Sequence, residues 1–156
     1  MEKRNEKGEF DRLLGLVVYS PVVHLVIFIV SYFVHLAYPI EIVRSSLLLP
    51  IGLLLIFVAP ILIAWSQSAV EAIRRELGAP QLRRGPYRFS RNPTYGGLAL
   101  LTFGFSFIVN SLPLLIGSIL AFIVVNAFIV PREERLMHEK YGEEYAVYRS
   151  KVRRWL

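Results

Sequence analysis

The sequence predicts an all-α integral membrane protein with about four transmembrane helices and a C-terminal amphipathic cytoplasmic helix. The main observation is that charges occur in blocks, because Asp, Glu, Lys and Arg are absent from residues 13–40, 45–70 and 92–131. A helix needs about 20 apolar residues to cross a bilayer core about 30 Å thick. Each of the first two uncharged stretches is long enough for one span. The third is long enough for two spans, joined as a short helical hairpin.

Length and composition narrow the possible classes of protein. The chain has 156 residues, which predicts a single domain. Its first half, residues 1–78, contains two predicted spans, and residues 79–156 form the half that carries the candidate site. It contains no cysteine, which excludes disulfides, thiolate chemistry and Cys-ligated metals. The net charge of +6 comes from blocks beside the predicted spans, so it does not indicate nucleic-acid binding.

The first predicted span covers about Leu13 to Tyr38, and the second about Leu47 to Gln67. No small-residue cleavage site follows the first apolar run, which favours a retained helix over a signal peptide. Polar side chains of the first span share one helical stripe, which we expect to face other helices: Ser20, His24, Ser31, His35 and Tyr38. His24 could act as a proton shuttle, but a hydrogen-bonded histidine between helices is the interpretation we prefer.

The third and fourth predicted spans, Pro93 to Val109 and Leu112 to Val130, are short and are joined by a turn at Asn110-Ser111-Leu112-Pro113. Small residues in this hairpin should allow close approach of helices: Gly96, Gly97, Gly104, Gly117 and Ala121. We expect Pro131 to mark the exit from the membrane.

The tail from Arg132 is predicted to form an amphipathic helix that lies on the bilayer or over a cytoplasmic site, with a break at Gly142. Its apolar stripe consists of Tyr141, Tyr145, Tyr148, Val152 and Trp155. With four spans, seventeen of the eighteen Lys and Arg residues lie on one side. The positive-inside rule then places both termini and the central loop in the cytoplasm, at an inner or plasma membrane.

The most unusual stretch is the segment from Gly85 to Gly97. Three aromatic rings and two guanidinium groups occur within the nine residues from Tyr87 to Tyr95. Asn92-Pro93 predicts a helix start in which the Asn92 side chain caps free N–H groups. Composition alone would also fit an ordinary basic loop with interfacial aromatic residues.

Two separated motifs in the second half carry a family resemblance. The first is Gly85-Pro86-Tyr87 followed by Arg91-Asn92-Pro93-Thr94-Tyr95. The second is Glu133-Glu134-x-Leu136 followed by Tyr141-Gly142-x-x-Tyr145-x-x-Tyr148-x-x-x-Val152-x-Arg153. Together they resemble the isoprenylcysteine carboxyl methyltransferase and phospholipid methyltransferase superfamily, over about Ala79 to Arg153.

The resemblance implies a membrane-embedded methyltransferase that uses S-adenosylmethionine as cofactor. The methyl acceptor would be a membrane lipid or another lipid-borne group, either a prenylcysteine-like carboxylate or a phospholipid-type amine. Cofactor contacts carried over from the family are Ala79, Pro80, Gln81, Leu82, Tyr87, Asn92, Pro93, Thr94, Tyr95, Glu133 and Glu134. The residues expected to have catalytic roles are Arg91, whose charge suits the cofactor's carboxylate, and Arg132.

Two departures from the family pattern limit what the resemblance implies. Asn92 replaces the usual histidine, and an amide cannot act as a general base near neutral pH. Ile129 occupies the position of an arginine that binds the substrate carboxylate in the eukaryotic carboxyl methyltransferases, and Arg132 is the candidate replacement. Two alternatives stay open: an NADPH-dependent enzyme similar to membrane sterol reductases, and a non-enzymatic subunit that binds anionic lipid. The acceptor and the oligomeric state are also open.

Overall fold

The computed structural model describes residues 21–43, 47–75 and 83–155. The described part of the chain is helical and contains no strand, which confirms the predicted fold class. In chain order its elements are α1 (Pro21–Ala37), α2 (Leu48–Arg75), a 3₁₀ turn (Gly85–Arg88), α3 (Pro93–Ile108), α4 (Leu112–Val124), a π-helical segment (Val125–Ile129) and α5 (Val130–Lys151).

Helix length and apolar surface both indicate a membrane protein. Among the described residues, two helical stretches are long and apolar enough to cross a bilayer, Leu48–Glu71 and Leu112–Lys151. Helices α1 and α3 are apolar but shorter. The 16 residues of α3 extend about 24 Å, which is less than a bilayer core of about 30 Å. Large apolar side chains such as Phe33 and Phe57 are exposed on the outside, as lipid-facing residues are.

Small residues bring the helices into close contact. A Cβ atom at Gly52 of α2 would lie 2.7 Å from the Gly104 carbonyl oxygen of α3, so the two backbones touch there. On α4, a Cβ atom at Gly117 would lie 1.9 Å from Oγ of Ser31 in α1. The prediction is thus confirmed for Gly104 and Gly117. At Gly96 a Cβ atom would meet only one side chain at 4.0 Å, so close packing does not require glycine there.

The predicted polar stripe of α1 is confirmed in its centre, where His24 and Ser31 are buried among the helices. Tyr38 departs from the prediction because it follows the end of α1 and is 67% exposed. Ser20 lies outside the described residues.

Two turns meet at one end of the helices. Asn110 adopts a positive φ of 52° after α3, and Ser111 caps α4 by accepting a hydrogen bond from the Leu114 N–H. The Asn110 side chain reaches the α1–α2 connection, where its amide nitrogen donates to the Val43 carbonyl at 2.7 Å and its oxygen accepts from the Val43 N–H at 3.2 Å. The tight hairpin predicted from the sequence is therefore confirmed.

The helix does not stop at Val130, where the fourth predicted span ends, because α4, the π-helical segment and α5 continue from Leu112 past Pro131 as far as the kink at Gly142. The N–H of Val130 donates to the Val125 carbonyl five residues back, which widens this turn. Pro131 is tolerated because it directly follows the π-helical turn, which already interrupts the regular i→i−4 hydrogen bonds of the helix. The break expected at Gly142 is present, with φ 53° and ψ −127° inside α5.

After Gly142 the tail folds back against the protein. Tyr145, Tyr148 and Val152 form a buried apolar cluster, with Met137 and Tyr141 packed against it. Trp155 instead joins a second cluster at the ends of α3 and α4. Of the two places predicted for the tail, on the bilayer or over a site, the structure has it over the protein.

The side of the membrane that each end faces can be tested by cysteine labelling, because the natural chain has no cysteine. Glu41 lies exposed beside the α3–α4 turn, and Ser150 lies exposed near the end of α5. We expect a cysteine at Glu41 to react with a membrane-impermeant maleimide only from outside cells, and a cysteine at Ser150 only after lysis. Reaction of both from the same side would contradict the four-span topology.

Candidate functional site

The central segment is held against α2 by its 3₁₀ turn. Gly85 has a φ of 54°, and a Cβ atom there would lie 3.1 Å from both Trp65 and Ala69 of α2. Glycine thus allows both the left-handed backbone and the close approach. Tyr87 follows in the same turn, half-buried, with its hydroxyl 3.5 Å from Oγ1 of Thr94.

The start of α3 differs from the predicted cap. The Asn92 side chain makes no capping bond, and its amide nitrogen instead donates to the Arg154 carbonyl at 3.4 Å. Its own N–H donates to Oγ of Ser90, which also donates to the Arg154 carbonyl at 3.1 Å. Asn92 therefore anchors the tail through its amide nitrogen rather than capping α3 through its oxygen.

Tyr95 connects α3 with α5. Its side chain is 6% exposed, and its hydroxyl donates a hydrogen bond to Oε1 of Glu133. Burial raises the pKa of the Tyr87 phenol, the hydrogen bond from Thr94 lowers it, and the negative charge of Glu133 raises it again. The Tyr87 phenol thus stays neutral near Glu133. We refer to Tyr87, Thr94, Tyr95 and Glu133 as the carboxylate–tyrosine cluster.

Glu134, the next residue along α5, faces a different set of partners. Its carboxylate is 7% exposed and lies 3.3 Å from Nη2 of Arg91 and 2.9 Å from Nη2 of Arg154. Nε of Arg154 donates a further bond to Oε1 at 3.3 Å. We refer to Arg91, Glu134 and Arg154 as the arginine–glutamate network. Two of its groups are cations and one is an anion, so the network carries an excess of one positive charge.

Arg91 has unused donors. Its side chain is 10% exposed, and within the described part of the chain its Nε and Nη1 atoms are buried without a hydrogen-bond partner. Buried polar groups in proteins are nearly always hydrogen-bonded, so two such donors on one side chain are unusual.

The Tyr145 phenol lies close to the Arg91 guanidinium. Burial raises the pKa of this phenol, the Glu134 carboxylate raises it further, and the positive charges of Arg91 and Arg149 and a side-chain contact with Arg91 lower it. Tyr145 is therefore a direct neighbour of the Arg91 guanidinium.

The tail closes this part of the protein. The Arg91 N–H donates to the Arg153 carbonyl at 2.9 Å, and the Tyr148 hydroxyl donates to the Tyr87 carbonyl at 2.9 Å. The Trp155 indole N–H donates to Oδ1 of Asn126 in the π-helical segment at 3.0 Å. The last described residues thus cover both the cluster and the network.

The structure brings together most of the residues predicted for the site. Tyr87, Thr94, Tyr95 and Glu133 form one cluster, and Arg91 and Glu134 lie in the neighbouring network. Pro93 is buried at the start of α3, while Arg132 is exposed on α5. The predicted contacts at Ala79, Pro80, Gln81 and Leu82 lie outside the described residues.

Sequence analysis missed Arg154 and the pairing of Trp155 with Asn126. Arg154 follows the last motif residue, and no spacing rule marks it. Asn126 was visible as a polar residue inside an apolar span, which is a signal for an interhelical bond, but its partner lies 29 residues away.

Comparisons with known proteins give the family. The family described as phospholipid methyltransferase matches residues 47–144, from the start of α2 into α5, and so includes both the cluster and Glu134. A Haemophilus influenzae protein, described as an uncharacterized protein, is 49% identical over 47 residues, which cover 30% of this chain and 73% of that protein. No solved structure matches the chain. Because the family match spans well over half of the chain and contains the central turn, Tyr95 and both glutamates, the chain belongs to the phospholipid methyltransferase family.

Proposed function

We propose that this protein transfers a methyl group from S-adenosylmethionine to a nucleophile carried by a membrane lipid. The observation that carries the proposal is the carboxylate–tyrosine cluster, which joins the central turn, α3 and α5 in one place. The family supports a membrane methyltransferase with a lipid-type substrate. The cofactor and the acceptor are our inference.

The residues of the cluster fit the chemistry of the cofactor. Its sulfonium and ammonium groups are cations, which a carboxylate and aromatic faces stabilise. Glu133 supplies the carboxylate, with one oxygen held by Tyr95. Tyr87 is half-buried beside it and presents an aromatic ring. The N-terminus of α3, where the helix dipole is positive, is suited to the cofactor's carboxylate.

When bound beside Glu133 and Tyr87, S-adenosylmethionine would supply an electrophilic methyl group to the acceptor's lone pair, with S-adenosylhomocysteine as the leaving group. The protein's contribution is to align acceptor and methyl group and to exclude water. The tail provides that cover through the bond from Tyr148 to the Tyr87 carbonyl. An amine acceptor must be neutral when it attacks, whereas a carboxylate needs no base. The Asn92 amide does not titrate near neutral pH, so it can position groups but cannot act as a general base.

Calorimetry on detergent-purified protein tests the proposal. We expect S-adenosylmethionine and S-adenosylhomocysteine to bind and NADPH not to bind. Binding of NADPH alone would favour a reductase similar to the membrane sterol reductases, and binding of none of the three would remove the support for an enzyme of either kind.

Tyr87 provides a second test of the cluster. We expect Tyr87→Ala to reduce the thermal stabilisation that S-adenosylhomocysteine gives, because it removes an aromatic face worth about 0.5–2 kcal/mol toward a cation. Tyr87→Phe should keep most of this ligand-induced stabilisation, because the hydroxyl has only a long contact to Thr94. The melting temperature without ligand should change little in either variant. An equal drop in melting temperature with and without ligand would show that Tyr87 contributes to packing rather than to ligand binding.

A further inference from the structure

We propose that Trp155 and Asn126 are positioning residues for the methyl transfer, because the contact between them fixes the direction in which Glu133 points. The inference rests on the proposed function, in which Glu133 binds the cofactor. Neither Trp155 nor Asn126 has to touch the cofactor or the acceptor. Both act through the helical turn and the buried cluster that lie next to the carboxylate.

The Trp155 side chain reaches from the tail to the π-helical segment. Its indole N–H donates to Oδ1 of Asn126 at 3.0 Å, although the two residues are 29 positions apart. The ring also packs on Phe122 of α4, with 4.7 Å between the ring centroids. Asn126 lies in a stretch without charged residues, where a carboxamide is costly unless it is hydrogen-bonded. The indole N–H therefore gives Asn126 a fixed partner on the tail.

The π-helical segment is the turn that sets the direction of Glu133. The Val130 N–H donates to the Val125 carbonyl five residues back, so this turn contains one residue more than an α-helical turn. An added residue rotates every following side chain by about 100° around the helix axis. Such turns are rare in proteins and are often found at functional sites. Because Asn126 lies inside this turn, its bond to Trp155 restrains the turn that directs Glu133.

Trp155 also supports the tyrosine that holds the Glu133 carboxylate. The indole ring packs against a buried apolar cluster made of Tyr95, Val125, Ile129 and Val130. Tyr95, in turn, donates a hydrogen bond to Oε1 of Glu133. One side chain of the tail thus contacts both the turn that directs Glu133 and the cluster that contains its hydrogen-bond donor.

The arrangement links closure of the tail to the geometry of the site. The two residues before Trp155 are bonded to the central segment, because the Arg153 carbonyl accepts the Arg91 N–H and the Arg154 carbonyl accepts Oγ–H of Ser90. These bonds place Trp155 beside the π-helical segment. Without the contact between Trp155 and Asn126, the turn is less restrained and Glu133 can take other directions. The affinity for the cofactor then falls although every residue that contacts it is still present.

Calorimetry with S-adenosylhomocysteine on the detergent-purified full chain tests the inference. Asn126→Leu removes the acceptor and keeps a branched side chain, while Trp155→Phe removes the N–H and keeps an aromatic ring against the cluster. We expect each change to weaken binding by about threefold to tenfold, as for the loss of one neutral hydrogen bond that the bound state requires. Asn126→Gln should retain more affinity than Asn126→Leu, because it keeps a carboxamide oxygen for the indole N–H.

Two comparisons separate a positioning role from a general loss of structure. If the two residues act through the Glu133 carboxylate, adding either change to Glu133→Gln should lower the affinity by no more than about twofold further. Ser118→Ala is the matched control, because it removes a buried contact of 3.1 Å to Oγ of Ser106, at the end of α3 away from Tyr95. It should lower the melting temperature without ligand and leave the affinity within about twofold.

Two results would overturn the inference and leave the proposed function in place. One is an affinity for S-adenosylhomocysteine that Asn126→Leu and Trp155→Phe both leave within about twofold. The other is a loss of affinity that persists in full when either change is added to Glu133→Gln, because the effect would then not pass through the carboxylate. If the unaltered protein bound no S-adenosylhomocysteine, the proposed function and this inference would both be wrong.

Discussion

Replacing Glu133 with glutamine is expected to lower the affinity for S-adenosylhomocysteine by about tenfold or more, without destabilising the free protein. The change removes a charge-assisted hydrogen bond to the ligand, worth about 1.5–3 kcal/mol, and each 1.4 kcal/mol is about one decade of affinity. The fold should be unaffected because glutamine keeps an oxygen that accepts the Tyr95 hydrogen bond. Calorimetry gives the affinity, and thermal melting without ligand gives the stability.

The control for Glu133 is Glu143, an exposed glutamate of the same helix that lies beyond the Gly142 kink. Glu143→Gln changes the net charge equally and should leave affinity within about twofold, because exposed charges are screened by solvent and salt. Tyr95→Phe should give an intermediate loss, since it keeps the carboxylate but no longer orients it. Similar losses in Glu133→Gln and Glu143→Gln would show that the ligand senses only overall charge.

The helical architecture could be predicted because it depends on properties that the sequence carries locally. The uncharged stretches predicted the apolar helices. Asn110-Ser111 predicted the tight hairpin, in which Ser111 caps α4. Spacing alone placed His24 and Ser31 on the buried face of α1. In each case the determining interactions lie within one helix or one turn.

The two failures have different causes. Asn92 has the sequence of a helix cap, but its side chain makes no capping bond and its amide nitrogen instead donates to the Arg154 carbonyl, 62 residues away. The fourth span was expected to end at Val130, but the adjacent π-helical segment lets the helix continue past Pro131. The sequence around these residues signals neither outcome.

The two glutamates show the same limit within the site. Sequence analysis assigned Glu133 and Glu134 together to the cofactor, because the motif contains both. The direction of each side chain depends on the π-helical segment upstream, since a π turn takes one more residue than expected and rotates the following positions by about 100°. The structure separates them, with Glu133 on Tyr95 and Glu134 on two arginines. The separation favours Glu133 for the cofactor and a structural role for Glu134.

Glu134→Gln is therefore expected to give the opposite result to Glu133→Gln, a large loss of stability with or without ligand. Removing one partner of a buried ion pair costs about 3–5 kcal/mol, because the remaining charge is left buried without compensation. We expect a loss at the lower end of this range, about 3 kcal/mol, because the Arg154 side chain is 32% exposed and can turn toward water. The Arg91 side chain is only 10% exposed, so its charge stays buried. Thermal melting in detergent, with the exposed Glu144→Gln as control, measures the loss.

A second substitution identifies the cause of that loss. If the buried Arg91 charge is what destabilises Glu134→Gln, then the double variant Glu134→Gln with Arg91→Gln removes the uncompensated charge and should melt at a higher temperature than Glu134→Gln alone. Such a rescue is expected only for an electrostatic penalty, because two unrelated packing defects would add. A double variant that melts lower than Glu134→Gln would show that Arg91 contributes to stability through packing, and that Glu134 does not act mainly by neutralising it.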